Sequence, residues 1–163
     1  MSADSRPLAD EAATRAVGAA LADALPEPGQ RDRALLLTLS GELGAGKSTL
    51  IRALLRRLGV TGPVRSPSYT LVEPYRTGGR LLLHVDLYRL GGPEEVEYLG
   101  LRDEFALADA ILVEWPERGQ GVLPEPDLGL RLEYADTGRL LSLSSESELG
   151  EIMRQATLRS TTA

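Results

Sequence analysis

Gly41-Glu42-Leu43-Gly44-Ala45-Gly46-Lys47-Ser48 decides the reading of this chain. The stretch satisfies Gly-x-x-x-x-Gly-Lys-Ser/Thr, the pattern of a loop that cradles the phosphates of a nucleoside triphosphate. Lys47 is the single lysine; the other 17 of the 18 basic residues are arginine. A compact ammonium reaches between phosphate oxygens where a planar guanidinium does not. A chain this biased towards arginine is expected to keep lysine only where arginine fails. Gly41, Gly44 and Gly46 allow torsions and close backbone approach that a β-carbon blocks. Successive N–H groups can then converge into an anion-binding concavity. A helix starting near Lys47 adds its positive N-terminal end. In this reading Lys47 reaches the outer phosphates and the Ser48 hydroxyl is a ligand of Mg2+.

The flanks supply the context the loop requires. Ala34-Leu35-Leu36-Leu37-Thr38-Leu39 reads as a buried strand before it. Leu50, Ile51, Leu54, Leu55 and Leu58 follow at helical spacing, and Gly59 is a terminator. Upstream, residues 10–25 read as a helix with Asp10 as N-cap and Pro26 ending it. Downstream, Leu71–Tyr75 and Leu81–Asp86 are expected to form a hairpin through Thr77-Gly78-Gly79-Arg80. Pro93–Leu99 reads as a short helix, Ala110–Glu114 as a buried strand, and Leu128–Ala135 with Leu140–Ser144 as a closing strand pair. From Glu146 onward the helical pattern is weak and a frayed end is expected. Alternating strands and helices predict an α/β fold like that of the phosphate-loop NTPases. Helices would cover both faces of a mostly parallel sheet with an antiparallel hairpin portion. Residues 1–163 read as one domain, with a core over about 10–144 and a tail over 145–163.

Composition bounds the function. The chain has 163 residues, ordinary hydrophobic content at 42% and no apolar run near membrane-span length. Its first residues lack the basic-then-apolar layout of a secretory signal. Zero cysteines exclude disulfides, thiolate catalysis and zinc–thiolate sites. With a loop that needs cellular nucleotide, a cytoplasmic location is expected. The net charge of −6 argues against an independent grip on RNA or DNA, which requires a basic face. Arg52, Arg56 and Arg57 read as a solvated helix face.

A phosphate loop needs a second acidic group to hold Mg2+, at the end of a buried strand. Two apolar runs end in one: Leu81–Val85 before Asp86, and Ala110–Val113 before Glu114. Either would sit at the carboxyl edge of the sheet, where ligands of open α/β sheets bind. Ser66-Pro67-Ser68-Tyr69-Thr70 is either a hydroxyl-rich segment that senses the γ-phosphate and metal or a proline-set turn. His84, the single histidine, and Trp115, the single tryptophan, read as packing residues.

These blocks in this order resemble the TsaE family, the bacterial ATPase subunit of tRNA threonylcarbamoyladenosine biosynthesis. The resemblance rests on the phosphate loop, Ser66-Pro67-Ser68-Tyr69-Thr70-Leu71-Val72, His84-Val85-Asp86-Leu87-Tyr88-Arg89-Leu90, Leu99-Gly100-Leu101 and Val113-Glu114-Trp115-Pro116-Glu117-Arg118-Gly119. It covers roughly residues 10–144. By resemblance, Lys47 and the loop residues Gly41, Glu42, Leu43, Gly44, Ala45, Gly46, Ser48 and Thr49 hold the phosphates of ATP. Ser48 and Glu114 coordinate Mg2+, and Asp86 is a catalytic carboxylate beside the γ-phosphate, with Lys47 and Glu114 completing the catalytic set. Thr14 lies near the adenine, and Arg139 stands for the terminal arginine of the family. Ser68 departs from the usual threonine, and Ser48 from a common one; both keep the hydroxyl.

The resemblance implies slow ATP hydrolysis in support of N6-threonylcarbamoylation of adenosine 37 in tRNAs reading ANN codons. TsaD and TsaB would be the partners and tRNA would be met only through them, the isolated chain being a monomer. Two other classes share the loop. A small-molecule kinase would need an acceptor pocket and an arginine-bearing lid, and a nucleotide-sensing module would bind without turnover. A regulatory GTPase is excluded, because Asn-Lys-x-Asp requires a second lysine.

Overall fold

The computed structural model describes residues 3–161. Seven strands form one sheet: β1 (Ala3–Leu8), β2 (Leu35–Ser40), β3 (Val72–Thr77), β4 (Arg80–Asp86), β5 (Ala110–Glu114), β6 (Leu128–Tyr134) and β7 (Arg139–Ser145). Their order is β1-β7-β6-β2-β5-β4-β3. The central four, β6, β2, β5 and β4, run parallel. The expected hairpin β3–β4 and closing pair β6–β7 are antiparallel, and β1 adds an antiparallel edge beside β7.

Period-two alternation divides the core between the two faces of the sheet. Leu35, Leu37 and Leu39 of β2 point to one face and Leu36 to the other. On the first face lie α1 (Glu11–Asp23), α2 (Lys47–Arg57) and α5 (Glu148–Ser160). Val17, Leu21, Leu50, Ile51, Leu54 and Met153 pack there against the leucines of β2, β6 and β7. A β-carbon on Gly18 would lie 2.3 Å from the Leu50 carbonyl, so glycine lets α1 and α2 touch backbone to backbone. Asp10 caps α1 by accepting the Ala13 N–H at 2.8 Å. On the second face, α3 (Pro93–Tyr98), α4 (Leu101–Leu107) and a single 3-10 turn, Pro116–Gly119, cover β4 and β5 through Val96, Leu101 and Trp115. The expected three-layer α/β sandwich is therefore present.

Three elements depart from the sequence reading. β1 was not expected, since Asp4, Arg6 and Pro7 read poorly as a strand. Asp4 and Arg6 in fact reach α5 and its C-cap, pairing with Arg154 and Thr161. α5 itself replaces the expected frayed end: Ser147 caps it by accepting the Gly150 N–H, and Met153 and Thr157 are fully buried. The final residues, 162–163, lie outside those described. The short α4 was also missed, and it starts at Gly100 in the left-handed region.

Candidate active site

Three parallel strands bring their carboxyl ends together. Asp86 of β4 is in register with Glu114 of β5, and Glu114 with Leu39 of β2, one residue before Ser40 and the loop. The two acids thus stand side by side on the face that carries α2, where Lys47 and Ser48 begin the helix. Gly41 and Gly46 are required as glycine. Gly41 has φ +141° and a β-carbon there would lie 2.2 Å from the Leu132 carbonyl; Gly46 has φ +113° immediately before the helix. Gly46, the N-cap of α2, makes no side-chain cap hydrogen bond.

The side chains form one network. The Ser48 hydroxyl donates to Glu114 Oε1 at 3.1 Å. His84 Nε2 lies 2.6 Å from Glu114 Oε2, and both residues are at most 2% exposed. Lys47 Nζ donates to the Gly41 and Glu42 carbonyls at 2.5 and 3.0 Å and lies 4.4 Å from the centre of the Trp115 ring. Burial lowers the Lys47 pKa from its ordinary value, against the opposing pull of the Glu114, Asp86 and Glu117 carboxylates. Asp86 Oδ1 accepts the Tyr88 N–H at 2.9 Å and Oδ2 the Ser66 hydroxyl at 3.2 Å. Four of the site residues read from the sequence, Lys47, Ser48, Asp86 and Glu114, therefore meet in one place.

The remaining candidates fall around this centre. Thr14, buried in α1, places its methyl against Gly46 and lines a hollow of about 270 Å3 with Asp10, Thr49 and Arg139. Arg139 donates to the Ala45 and Gly44 carbonyls, each at 3.2 Å, and its guanidinium lies over the Tyr134 ring. Tyr134 donates to the Leu43 carbonyl at 2.6 Å. Three successive loop carbonyls are thus held outward, a geometry that turns the intervening N–H groups inward. Leu43 is exposed at the loop tip and Glu42 beside it. Ser68 touches Ser66 at 3.3 Å, and Ser66, not Ser68, reaches Asp86.

The sequence reading missed His84, Trp115, Tyr88 and Tyr134 as members of the site, and within the Ser66–Thr70 segment it favoured Ser68 where Ser66 makes the contact. His84 precedes Asp86 by two residues on one strand, so period two places both on the same face. That signal was available; the Glu114 partner was not. Trp115 has φ +58° and Leu71 φ +66°, and both left-handed residues flank the site. The strained turn at Trp115 sets its indole against Lys47, with the Tyr88 ring tilted against it at 4.9 Å between centroids. Arg52, Arg56 and Arg57 are engaged with the Val64 carbonyl, the Val60 carbonyl and Asp23. Among the described residues no group of three or more His, Cys, Asp or Glu side chains is placed to hold a metal ion. No helix among them is long and apolar enough to cross a membrane.

Comparisons with known proteins agree on one family. A family model described as threonylcarbamoyl adenosine biosynthesis protein TsaE matches residues 8–141. The tRNA threonylcarbamoyladenosine biosynthesis protein TsaE of Haemophilus influenzae is 46% identical over 120 residues, 74% of this chain and 76% of that protein. The protein of the same name from Bacillus subtilis is 37% identical over 122 residues, covering 75% and 72%. The crystal structure of YdiB from Bacillus subtilis superposes with a TM-score of 0.78 at 26% identity, covering 97% of this chain and 95% of that one. The chain belongs to the TsaE family of tRNA threonylcarbamoyladenosine biosynthesis.

Proposed function

We propose that this chain binds ATP with Mg2+ at the Gly41–Ser48 loop and hydrolyses it slowly. Through that cycle it supports N6-threonylcarbamoylation of adenosine 37 in tRNAs reading ANN codons, acting in the cytoplasm with TsaD and TsaB. The observation that carries this reading is the meeting of Lys47, Ser48, Asp86 and Glu114 at the carboxyl ends of β2, β4 and β5. Lys47 would leave the Gly41 and Glu42 carbonyls for the outer phosphates, and the loop N–H groups would hold the inner ones.

The donor set fits Mg2+. This ion takes oxygen ligands, keeps several waters and completes its shell with substrate phosphates, so it does not need a cage of protein side chains. Ser48 and Glu114 offer a hydroxyl and a carboxylate already in contact, and His84 fixes the far carboxylate oxygen. When bound, Mg2+ neutralises charge on the phosphate oxygens. Asp86, tied by Tyr88 and Ser66, is the carboxylate free to orient water beside the terminal phosphate. A net charge of −6 supports contact with tRNA through the partners and not by the chain alone.

Phosphate release separates this reading from kinase and from sensor. Slow Mg2+-dependent release to water is expected, unchanged by added small-molecule acceptors and lost in Asp86→Ala. Phosphate transfer to an acceptor, or binding without release in the presence of the partners, would overturn it.

A further inference from the structure

The helices of the second face cover only half of it. α3, α4 and the turn after β5 pack on Leu83, Val85, Ile111 and Val113. Over β2, β6 and β7 the same face carries two rows of residues that are small except for Arg131. Thr38 aligns with Gly129 and Ser144, and Ser40 with Arg131 and Ser142. β2 is parallel to both neighbours, and parallel sheets are as a rule covered on both faces. Here segment 116–126 walls a groove instead. Two hollows of about 810 and 420 Å3 adjoin, sharing Thr38, Ser40, Glu125, Pro126 and Arg131.

The charge of the groove is one-sided. Glu42, Glu117, Glu125, Glu133 and Glu146 line it. Among the described residues that line it the one cation is Arg131, which is paired with Glu133 at 3.0 Å. We propose that this groove is the docking surface for a cationic amphipathic helix of a protein partner, and that its occupancy is felt at the phosphate loop. The main-chain groups of the floor are engaged in the β2–β6–β7 ladders, so a strand cannot add there. The small floor residues let a helix 10–12 Å across lie close, as α3 and α4 do on the other half. Leu123, Pro124 and Pro126 supply an apolar wall. Lysines or arginines on the flanks of such a helix meet the glutamates, whereas RNA phosphates would be repelled.

The coupling is geometric. Gly41 and Glu42, whose carbonyls hold Lys47, line the groove, and so does Trp115, whose ring lies against the same ammonium. A helix seated on Trp115 and Glu42 bears on the contacts that park Lys47. This inference deepens the reading above by giving the protein partner a surface.

The test uses a synthetic Lys/Leu helical peptide of about 18 residues, about 27 Å long as a helix, and free of aromatic residues. Trp115 is the single tryptophan, so its emission reports from the groove itself. Titration should change that emission. The apparent affinity should fall about tenfold in Glu125→Lys/Glu133→Lys and stay within about twofold in Glu94→Lys/Glu95→Lys, which changes net charge equally on α3. Equal weakening in both pairs, a flat emission, or equal binding of a Glu/Leu peptide or an RNA oligonucleotide would overturn the docking surface. A parent protein that passes these tests yet fails to associate with purified TsaD and TsaB would contradict the partner reading alone.

Discussion

Replacing Glu114 with glutamine removes a charge and keeps the shape. The amide can still accept from the Ser48 hydroxyl and still meet His84, so the strand ends should stay in register. What is lost is the anionic oxygen offered to the metal. A hydrogen-bonded or ionic contact to a charged group is worth about 1.5–3 kcal/mol, or about 10- to 150-fold in affinity. That loss should fall on the Mg2+-dependent part of ATP binding and leave binding without Mg2+ nearly unchanged. A second effect follows from Lys47. Burial lowers its pKa, and Glu114 is the foremost group opposing that shift. Without the carboxylate the ammonium should lose its proton more readily, so the alkaline fall in nucleotide affinity should begin at a lower pH than in the parent. Calorimetric titration of ATP with and without Mg2+, across a pH series, measures both. An unchanged Mg2+ enhancement in Glu114→Gln, with thermal melting showing an intact fold, would refute the metal role. An alkaline limb at the parent position would refute the electrostatic one.

Three further outcomes are expected. Arg139→Leu releases the Gly44 and Ala45 carbonyls and should weaken nucleotide binding about 5- to 30-fold, for a loss of about 1–2 kcal/mol, with melting little changed; equal affinity would reduce Arg139 to a surface residue. Burial works to raise the Asp127 pKa, but the Leu36 N–H, the Ser147 hydroxyl, Arg33 and Arg31 outweigh it and hold the carboxyl below its ordinary value. Its stabilisation is therefore present above the ordinary carboxylate range and lost as pH falls through about 4 and below. Asp127→Asn should cost about 1.5–3 kcal/mol at neutral pH, a drop of about 3–12 °C in Tm. The gap from the parent should close on acidification, and a gap that widens would be contrary. Lacking any lysine beyond Lys47 for a guanine-selective motif, the protein should prefer ATP to GTP in competition binding with Mg2+, and equal or tighter GTP binding would remove the adenine assignment.

Local pattern and tertiary contact divide what the sequence disclosed from what it concealed. Strands β2, β4 and β5 were legible because each is a largely apolar run, and the acids ending β4 and β5 followed from chain direction alone. The loop was legible because three glycines, one lysine and one serine carry its chemistry within eight residues. β1 and α5 were hidden for a shared reason. Asp4 and Arg6 look like solvent residues until α5 and its C-cap supply Arg154 and Thr161 150 or more residues away. Lys47 and Trp115 meet only because Trp115 adopts a left-handed conformation, which tryptophan has no local preference to take. His84 read as packing because its partner lies on a neighbouring strand. The same distance in sequence hid the Tyr134–Arg139 brace, which closes on a loop about 90 residues earlier.

The most direct measurement is multiple-turnover threonylcarbamoylation of tRNA in a reconstituted system containing TsaD, TsaB and this chain as parent, Lys47→Ala or Asp86→Ala. Both positions belong to the network at the strand ends, and each is needed for the nucleotide cycle proposed above. The parent should sustain repeated turnover, and both variants should stop after the first round or before it. Full turnover with either variant would show that ATP hydrolysis at this site is incidental to the modification.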